Sequence, residues 1–201
     1  MHSSEAVKES MNAERLDLFV TPIWIFRSTI TDTHLAALRE LANKERSEFE
    51  GVVKSNSKGT SFHSRMGFAG AFSDLPGARE IGTAVMSVCE EQGMALDKCR
   101  IGYWSIITST YGYNKRHHHG DAQLSSVLYI DTPTDGGDLI FSDTRYGSQS
   151  SPKFPRDGSK FVVAPEPKML VVFPGYLEHE VGQNMSDQER VIWSFNFIPV
   201  G

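Results

Sequence analysis

RIGYWSIITS (100–109), YGYNKRHHH (111–119), LSSVLYI (124–130), GGDLIFSD (136–143), SKFVVA (159–164), KMLVVFP (168–174) and RVIWSFNFI (190–198) follow one another, split by turn sequences such as TPTDGG, PRDG and FPG. Each run is rich in β-branched and aromatic residues, and each is too short for an apolar helix. About seven strands in roughly 100 residues predict a sandwich or barrel. Upstream, LDLFVTPIWIF (16–26) has strand composition. Thr31-Asp32 then caps a segment in which Leu35, Leu38, Leu41 and Ala42 recur at helical spacing. Gly51–Ser64 (GVVKSNSKGTSFHS) has no sustained period and predicts a loop. Pro76 opens a second helix with Ile81, Val85 and Val88 on one face, ending near Gly93. Helices first and an uninterrupted strand series second predict a mainly β (α+β) fold. The expected form is a jelly-roll core with the N-terminal helices packed on one outer face, not alternating βαβ units.

The rest of the chain sets bounds on function. Its 201 residues, 39% hydrophobic and 22% charged, match a single domain with a sizeable core. Residues 1–15 carry almost no apolar side chains and are expected to be a flexible tail, leaving 16–201 as the domain. A formal net charge of −5 disfavours a nucleic-acid partner. The polar, acidic beginning and the lack of any run of about 18 apolar residues predict neither a secretory signal nor a membrane span. Cys89 and Cys99 are too few for a disulfide framework, which points to a reducing, cytoplasmic address. The longest irregular segment, DTRYGSQSSPKFPRDG (143–158), is a candidate loop at the barrel mouth.

Three of the seven histidines are consecutive, His117, His118 and His119. One histidine at a strand end is ordinarily a solvated surface residue; three together require another explanation. In an extended chain His117 and His119 project to one side, joined by Asp121 if the conformation persists through Gly120, while His118 points away. His-x-Asp with a more distant His is the ligand set of the 2-His-1-carboxylate triad that holds non-haem Fe(II) and leaves positions open. His119-Gly120-Asp121 fits that spacing. His179 is the only later histidine, and it follows KMLVVFP and the turn GYLE as the expected third ligand. Eleven residues on, Arg190 heads the last strand, where its guanidinium can form a bidentate pair with the distal carboxylate of a metal-chelating oxo acid. Trp104, Trp193, Tyr103 and Phe195 are expected in the core, with some walling a cleft. No Ser/His/Asp or paired-carboxylate arrangement is found, so no catalytic residue is expected beyond the metal ligands.

The blocks HHHGDAQLSSVLYIDTP, GGDLIFSDTR, MLVVFPGYLEHEVGQN and ERVIWSFNF resemble the Fe(II)- and 2-oxoglutarate-dependent oxygenases of the double-stranded β-helix fold, in particular a subgroup found in bacteria and phages. LFVTPIW and SNSKGTSFHS carry the resemblance more weakly. It implies a dioxygenase, a hydroxylase with a peptidyl or prolyl substrate as one possibility. Such an enzyme uses Fe(II), 2-oxoglutarate and O2, and couples oxidative decarboxylation of 2-oxoglutarate to succinate and CO2 with oxidation of a C–H bond. It also implies His119 and His179 as iron ligands and Arg190 as the 2-oxoglutarate anchor. The subgroup shows His-x-His, a pattern that both His117 and His119 match, so the ligand set is His119, Asp121 and His179 or else His117, His119 and His179; simple facial-triad chemistry favours the first. Two residues after the anchoring Arg, where these enzymes often place Ser, stands Ile192. Tyr129 or Ser194 is then expected to supply the hydroxyl for the co-substrate. The prime substrate, a small molecule or a protein, is not readable. Two rival readings remain: a cupin-like oxygenase that does not use 2-oxoglutarate, and a non-catalytic jelly-roll binding module.

Overall fold

The structure, a computed structural model, describes residues 19–52, 57–58, 61–65, 67, 71–95, 98–145 and 159–200. The expected tail and residues 146–158 of the irregular segment lie outside the described residues. The first strand, β1 (Trp24–Phe26), is much shorter than LDLFVTPIWIF suggests, because Pro22 cannot donate to a ladder. Helix α1 (Asp32–Glu48) begins as expected, with the Thr31 hydroxyl accepting a hydrogen bond from the His34 amide at 3.2 Å. Helix α2 (Ala78–Glu91) follows Gly77, and after it Gly93 takes a left-handed φ of 65°. The Met94 N–H there caps the Cys89 carbonyl at 2.8 Å.

Where the sequence suggests a loop at 51–64, the chain makes two strands, β2 (Ser57–Lys58) and β3 (Ser61–His63). Strands this short leave no periodic trace, and they hold through pairing with distant partners. The remaining strands are β4 (Cys99–Thr108), β5 (Tyr113–His117), β6 (Leu124–Asp131), β7 (Leu139–Ser142), β8 (Lys160–Val163), β9 (Leu170–Pro174), β10 (His179–Val181) and β11 (Arg190–Pro199). They form a six-stranded sheet ordered β1-β9-β6-β11-β4-β3 and a five-stranded sheet ordered β2-β5-β10-β7-β8. Every pairing is antiparallel. This is the expected jelly roll.

The larger sheet is buried on both faces, so its strands read as nearly continuous apolar runs. Along β11, Val191, Trp193, Phe195 and Phe197 pack against Leu38, Ala42, Ile81 and Val85 of the two helices. Ile192 instead faces inward to a second cluster with Trp104, Tyr129, Leu139 and Phe141, between the sheets. Each large apolar side chain buried this way contributes roughly 1.5–3 kcal/mol. Helix α1 is further tied down by the Trp193 indole N–H, which donates to the Leu38 carbonyl at 3.2 Å, and by a two-pronged ion pair between Arg39 and Asp131. With one face of the large sheet sealed by helices, the space between the sheets is left as the place for a site.

Candidate metal centre

His117 is the last residue of β5 and stands directly opposite His179, the first residue of β10. Between His179 and Val181 the partner on β5 changes from His117 to Asn114, so Lys115 and Arg116 together face the single residue Glu180. This bulge turns Asn114 and His117, three positions apart, toward the same interior cavity, which regular alternation would not do. The chain then leaves the ladder. The His119 N–H donates to the Gly175 carbonyl at 2.8 Å, and a turn closes with the Ala122 N–H on the His119 carbonyl at 2.9 Å. Gly175 is needed here, since a Cβ on it would lie 2.1 Å from the Ala122 carbonyl oxygen. The turn brings His119 back over the other two histidines and carries Asp121 out to the surface, where it is exposed.

The ring centroids of His117 and His179 are 4.4 Å apart, and that of His119 lies 5.2 Å from each. One nitrogen from each ring can be chosen so that all three lie within 4.8 Å of one another. Asp121, placed with His119 in the sequence by an extended chain through Gly120, does not join this group, because the extended conformation ends at His117.

The orientation of two rings is fixed by main-chain carbonyls two residues earlier. His117 Nδ1 lies 2.7 Å from the Lys115 oxygen, and His179 Nδ1 lies 2.9 Å from the Leu177 oxygen. A carbonyl only accepts, so each Nδ1 carries the proton and each Nε2 presents a lone pair. Both rings also resist protonation. Burial, reinforced by the neighbouring His117, pulls the His179 pKa down to about 3, and burial lowers that of His117 as well. Neutral imidazoles with aimed lone pairs are the donor set that Fe(II) accepts.

The same cavity, of about 370 Å³, reaches Arg190, Tyr129, Ser194 and Asn196 on the large sheet. Arg190 is 2% exposed, and its partners are all neutral. Nη1 donates to the carbonyls of Gly136, Gly137 at 3.3 Å and Gly182 at 3.4 Å, and Nη2 reaches the Thr108 hydroxyl at 3.4 Å. Among the described residues no carboxylate pairs with it. Burial lowers its pKa, against the nearby Tyr129 phenol, and burial raises that of Tyr129. A buried cation without a counter-ion is costly, so the cavity is built to receive an anion at this end. Gly137 belongs to this arrangement: its φ is 89°, and a Cβ there would fall 2.2 Å from the Gly182 carbonyl oxygen and 2.8 Å from Arg190 Nη1.

Ser194 and Ile192 share the cavity face with Arg190, as alternation along β11 requires. Trp104, expected in the core, is both a core residue and a wall of the cleft. Sequence reasoning missed His63, which β3 places beside Ile106 on the cavity face, and also Asn114, Asn196 and the cavity-lining His118. Only Asn196 carried a usable signal, standing six residues after Arg190 in strict alternation. Asp143 and Arg145 pair with each other at 2.6 Å, and Arg145 is exposed.

Residues 102–196 match a family model described as "Putative 2OG-Fe(II) oxygenase". This stretch, 95 of the 201 residues, resembles the 2OG-Fe(II) oxygenases. Solved structures share the fold of the whole chain. A Pseudomonas putida prolyl-4-hydroxylase is similar with a TM-score of 0.64 at 20% identity, covering 92% of this chain and 96% of that one. A viral collagen prolyl hydroxylase from Paramecium Bursaria Chlorella virus-1, in its 2OG complex, gives 0.60 at 14% identity, with 89% and 96% covered. The alpha ketoglutarate dependent epimerase SnoN from nogalamycin biosynthesis gives 0.64 at 13% identity, with 89% and 78% covered. No curated protein sequence matches the chain. The fold is thus the one that these solved structures share.

Proposed function

We propose that this protein is a 2OG-Fe(II) oxygenase, a hydroxylase whose iron is held by His117, His119 and His179 and whose 2-oxoglutarate is anchored by Arg190. The observation that carries the reading is a single cavity with three clustered histidines and a buried guanidinium that has only neutral partners. Fe(II) bound there supplies the activation of O2 that decarboxylates 2-oxoglutarate to succinate and CO2 and oxidises a C–H bond. The protein's own part is binding and positioning. Three neutral imidazoles leave the two positive charges of the cation uncompensated, and together with the Arg190 guanidinium they favour a dianionic 2-oxo acid that places one carboxylate at the cation and the other at the guanidinium. Its distal carboxylate suits the fork of Arg190, and the Tyr129 phenol, kept protonated by burial, can donate to the same group. Ser194 is a second hydroxyl on that face. Trp104, Ile192 and Phe173 make the walls apolar, which limits access of water.

A peptide-borne or a small-molecule substrate fits a cavity of this kind, and the solved relatives include both prolyl hydroxylases and an epimerase. Two unbonded cysteines support a reducing, cytoplasmic setting. Among the described residues no helix is long and apolar enough to cross a membrane. Release of CO2 from 2-oxoglutarate labelled at the 2-oxo acid carboxylate tests the reading. It should require added Fe(II), yield succinate, and disappear in His179→Ala. Iron-dependent turnover of another substrate with 2-oxoglutarate untouched would favour the cupin-like alternative.

A further inference from the structure

Two of the three clustered histidines are oriented by main-chain carbonyls, which no side-chain substitution removes. His119 is different. Its Nδ1 stands 3.3 Å from the side-chain amide of Asn196, and that amide is itself bonded to the Ser125 hydroxyl at 2.9 Å. Asn196 is 8% exposed and Ser125 is 1% exposed, so the amide is held from behind by a buried hydroxyl while its other end faces the ring. The two residues face each other across the β6–β11 pairing, which fixes their separation.

In the arrangement present, the Asn196 amide directs its NH2 at His119 Nδ1 and its carbonyl accepts from Ser125 Oγ. An Nδ1 that accepts a hydrogen bond carries no proton, so a neutral His119 then has its proton on Nε2, where a metal needs a lone pair. Rotating the amide by a half turn exchanges its ends. The carbonyl then accepts from Nδ1–H, and the NH2 donates to Ser125 Oγ. A serine hydroxyl donates or accepts equally well, so both orientations keep every hydrogen bond. We propose that Asn196, backed by Ser125, is the positioning residue for His119, and that the pair sets the ring's tautomer so that Nε2 is available to the cation. This rests on the three-histidine reading above. It assigns the third ring a buried side-chain relay where the other two use backbone.

The experiment uses the full-length, metal-free chain and Co(II) alone as the probe. The His119 tautomer is read from long-range proton–nitrogen correlation spectra of the imidazoles, assigned by its loss in His119→Ala. Co(II) affinity is read by titration of its visible absorption. The wild-type ring should be the Nδ1–H tautomer. Asn196→Leu should mix the two tautomers and weaken Co(II) binding by about 10–100-fold, the range usual for loss of a ligand's orienting partner. Asn196→Asp, nearly isosteric and able to accept from Nδ1–H, should bind within about threefold of wild type or tighter, and Ser125→Ala should fall between.

Unchanged tautomer and affinity in Asn196→Leu would overturn the assignment. So would equal weakening in the Asp and Leu variants, which would indicate packing alone. Should Asn196→Leu not fold, wild-type affinity and tautomer in Ser125→Ala would overturn it. His179→Ala separates the two levels. If that variant binds Co(II) as tightly as wild type, the three-histidine reading is wrong and the role of Asn196 goes with it.

Discussion

Arg190 and the histidines divide the work of the cavity, and their variants should separate accordingly. A buried hydrogen bond to a charged group contributes about 1.5–3 kcal/mol, or roughly 10- to 150-fold in affinity. Arg190→Ala should therefore raise the KM for 2-oxoglutarate by at least about tenfold with Co(II) affinity nearly unchanged, since the neutral partners of Arg190 do not include the histidines. It should also lower Tm, because the same guanidinium ties together the carbonyls of Gly136, Gly137 and Gly182. Arg190→Lys keeps the charge but loses the fork, and should lie between in KM. Steady-state kinetics with varied 2-oxoglutarate check this, and an unchanged KM in Arg190→Ala would place the co-substrate elsewhere. At this scale the spacing in the sequence singled out His119, His179 and Arg190 as candidates, and the structure brings all three to one cavity. It left His117 and Asp121 open, because which of them sits beside His119 and His179 depends on where extension ends, and the chain turns away there through a hydrogen bond from His119 to Gly175.

The secondary-structure elements place these residues, and two of them carry testable strain or charge. Glu45 on α1 is 2% exposed and accepts a hydrogen bond from the Ser105 hydroxyl of β4 at 2.7 Å. Burial raises its pKa above the ordinary 4.5, partly offset by Ser105 and Ser64. The fold therefore prefers the protonated form. Its contribution to stability is fully present below pH 4.5 and is lost as pH rises through the raised folded value. Glu45→Gln keeps an acceptor for Ser105 without the charge. Its Tm should match wild type near pH 4 and exceed it at pH 8, and parallel Tm curves across that range would contradict the burial of this charge.

Gly137→Ala should lower both Tm and the affinity for 2-oxoglutarate, because the added methyl meets Gly182 and Arg190 at once. Thermal melts and a 2-oxoglutarate titration of that variant test it. The long strands and both helices were legible because their periodicity is local. The strands β2, β3 and β10, of two or three residues each, were not, since their stability comes from partners far along the chain.

Over the whole molecule, the order of elements was enough to predict the jelly roll and the helices against its outer face. The cavity itself was not legible, because it is enclosed by inward residues of both sheets that no local pattern brings together. Ligation should stabilise the assembled fold by mass action. Metal and 2-oxoglutarate, each at about 100 times its dissociation constant, contribute roughly 2.7 kcal/mol apiece, which for a chain of this size raises Tm by about 5–10 °C for each ligand bound. A scan with Mn(II) and 2-oxoglutarate should show that rise in the wild type and not in His179→Ala.

The central claim is that three histidines, without a carboxylate, hold the iron. It is tested most directly by iron content and CO2 release from labelled 2-oxoglutarate in His117→Ala and Asp121→Ala, each reconstituted anaerobically with Fe(II) and then exposed to O2. The structure predicts one iron per chain and near wild-type CO2 release in Asp121→Ala, and loss of both in His117→Ala. Retention of both in His117→Ala with their loss in Asp121→Ala would contradict it.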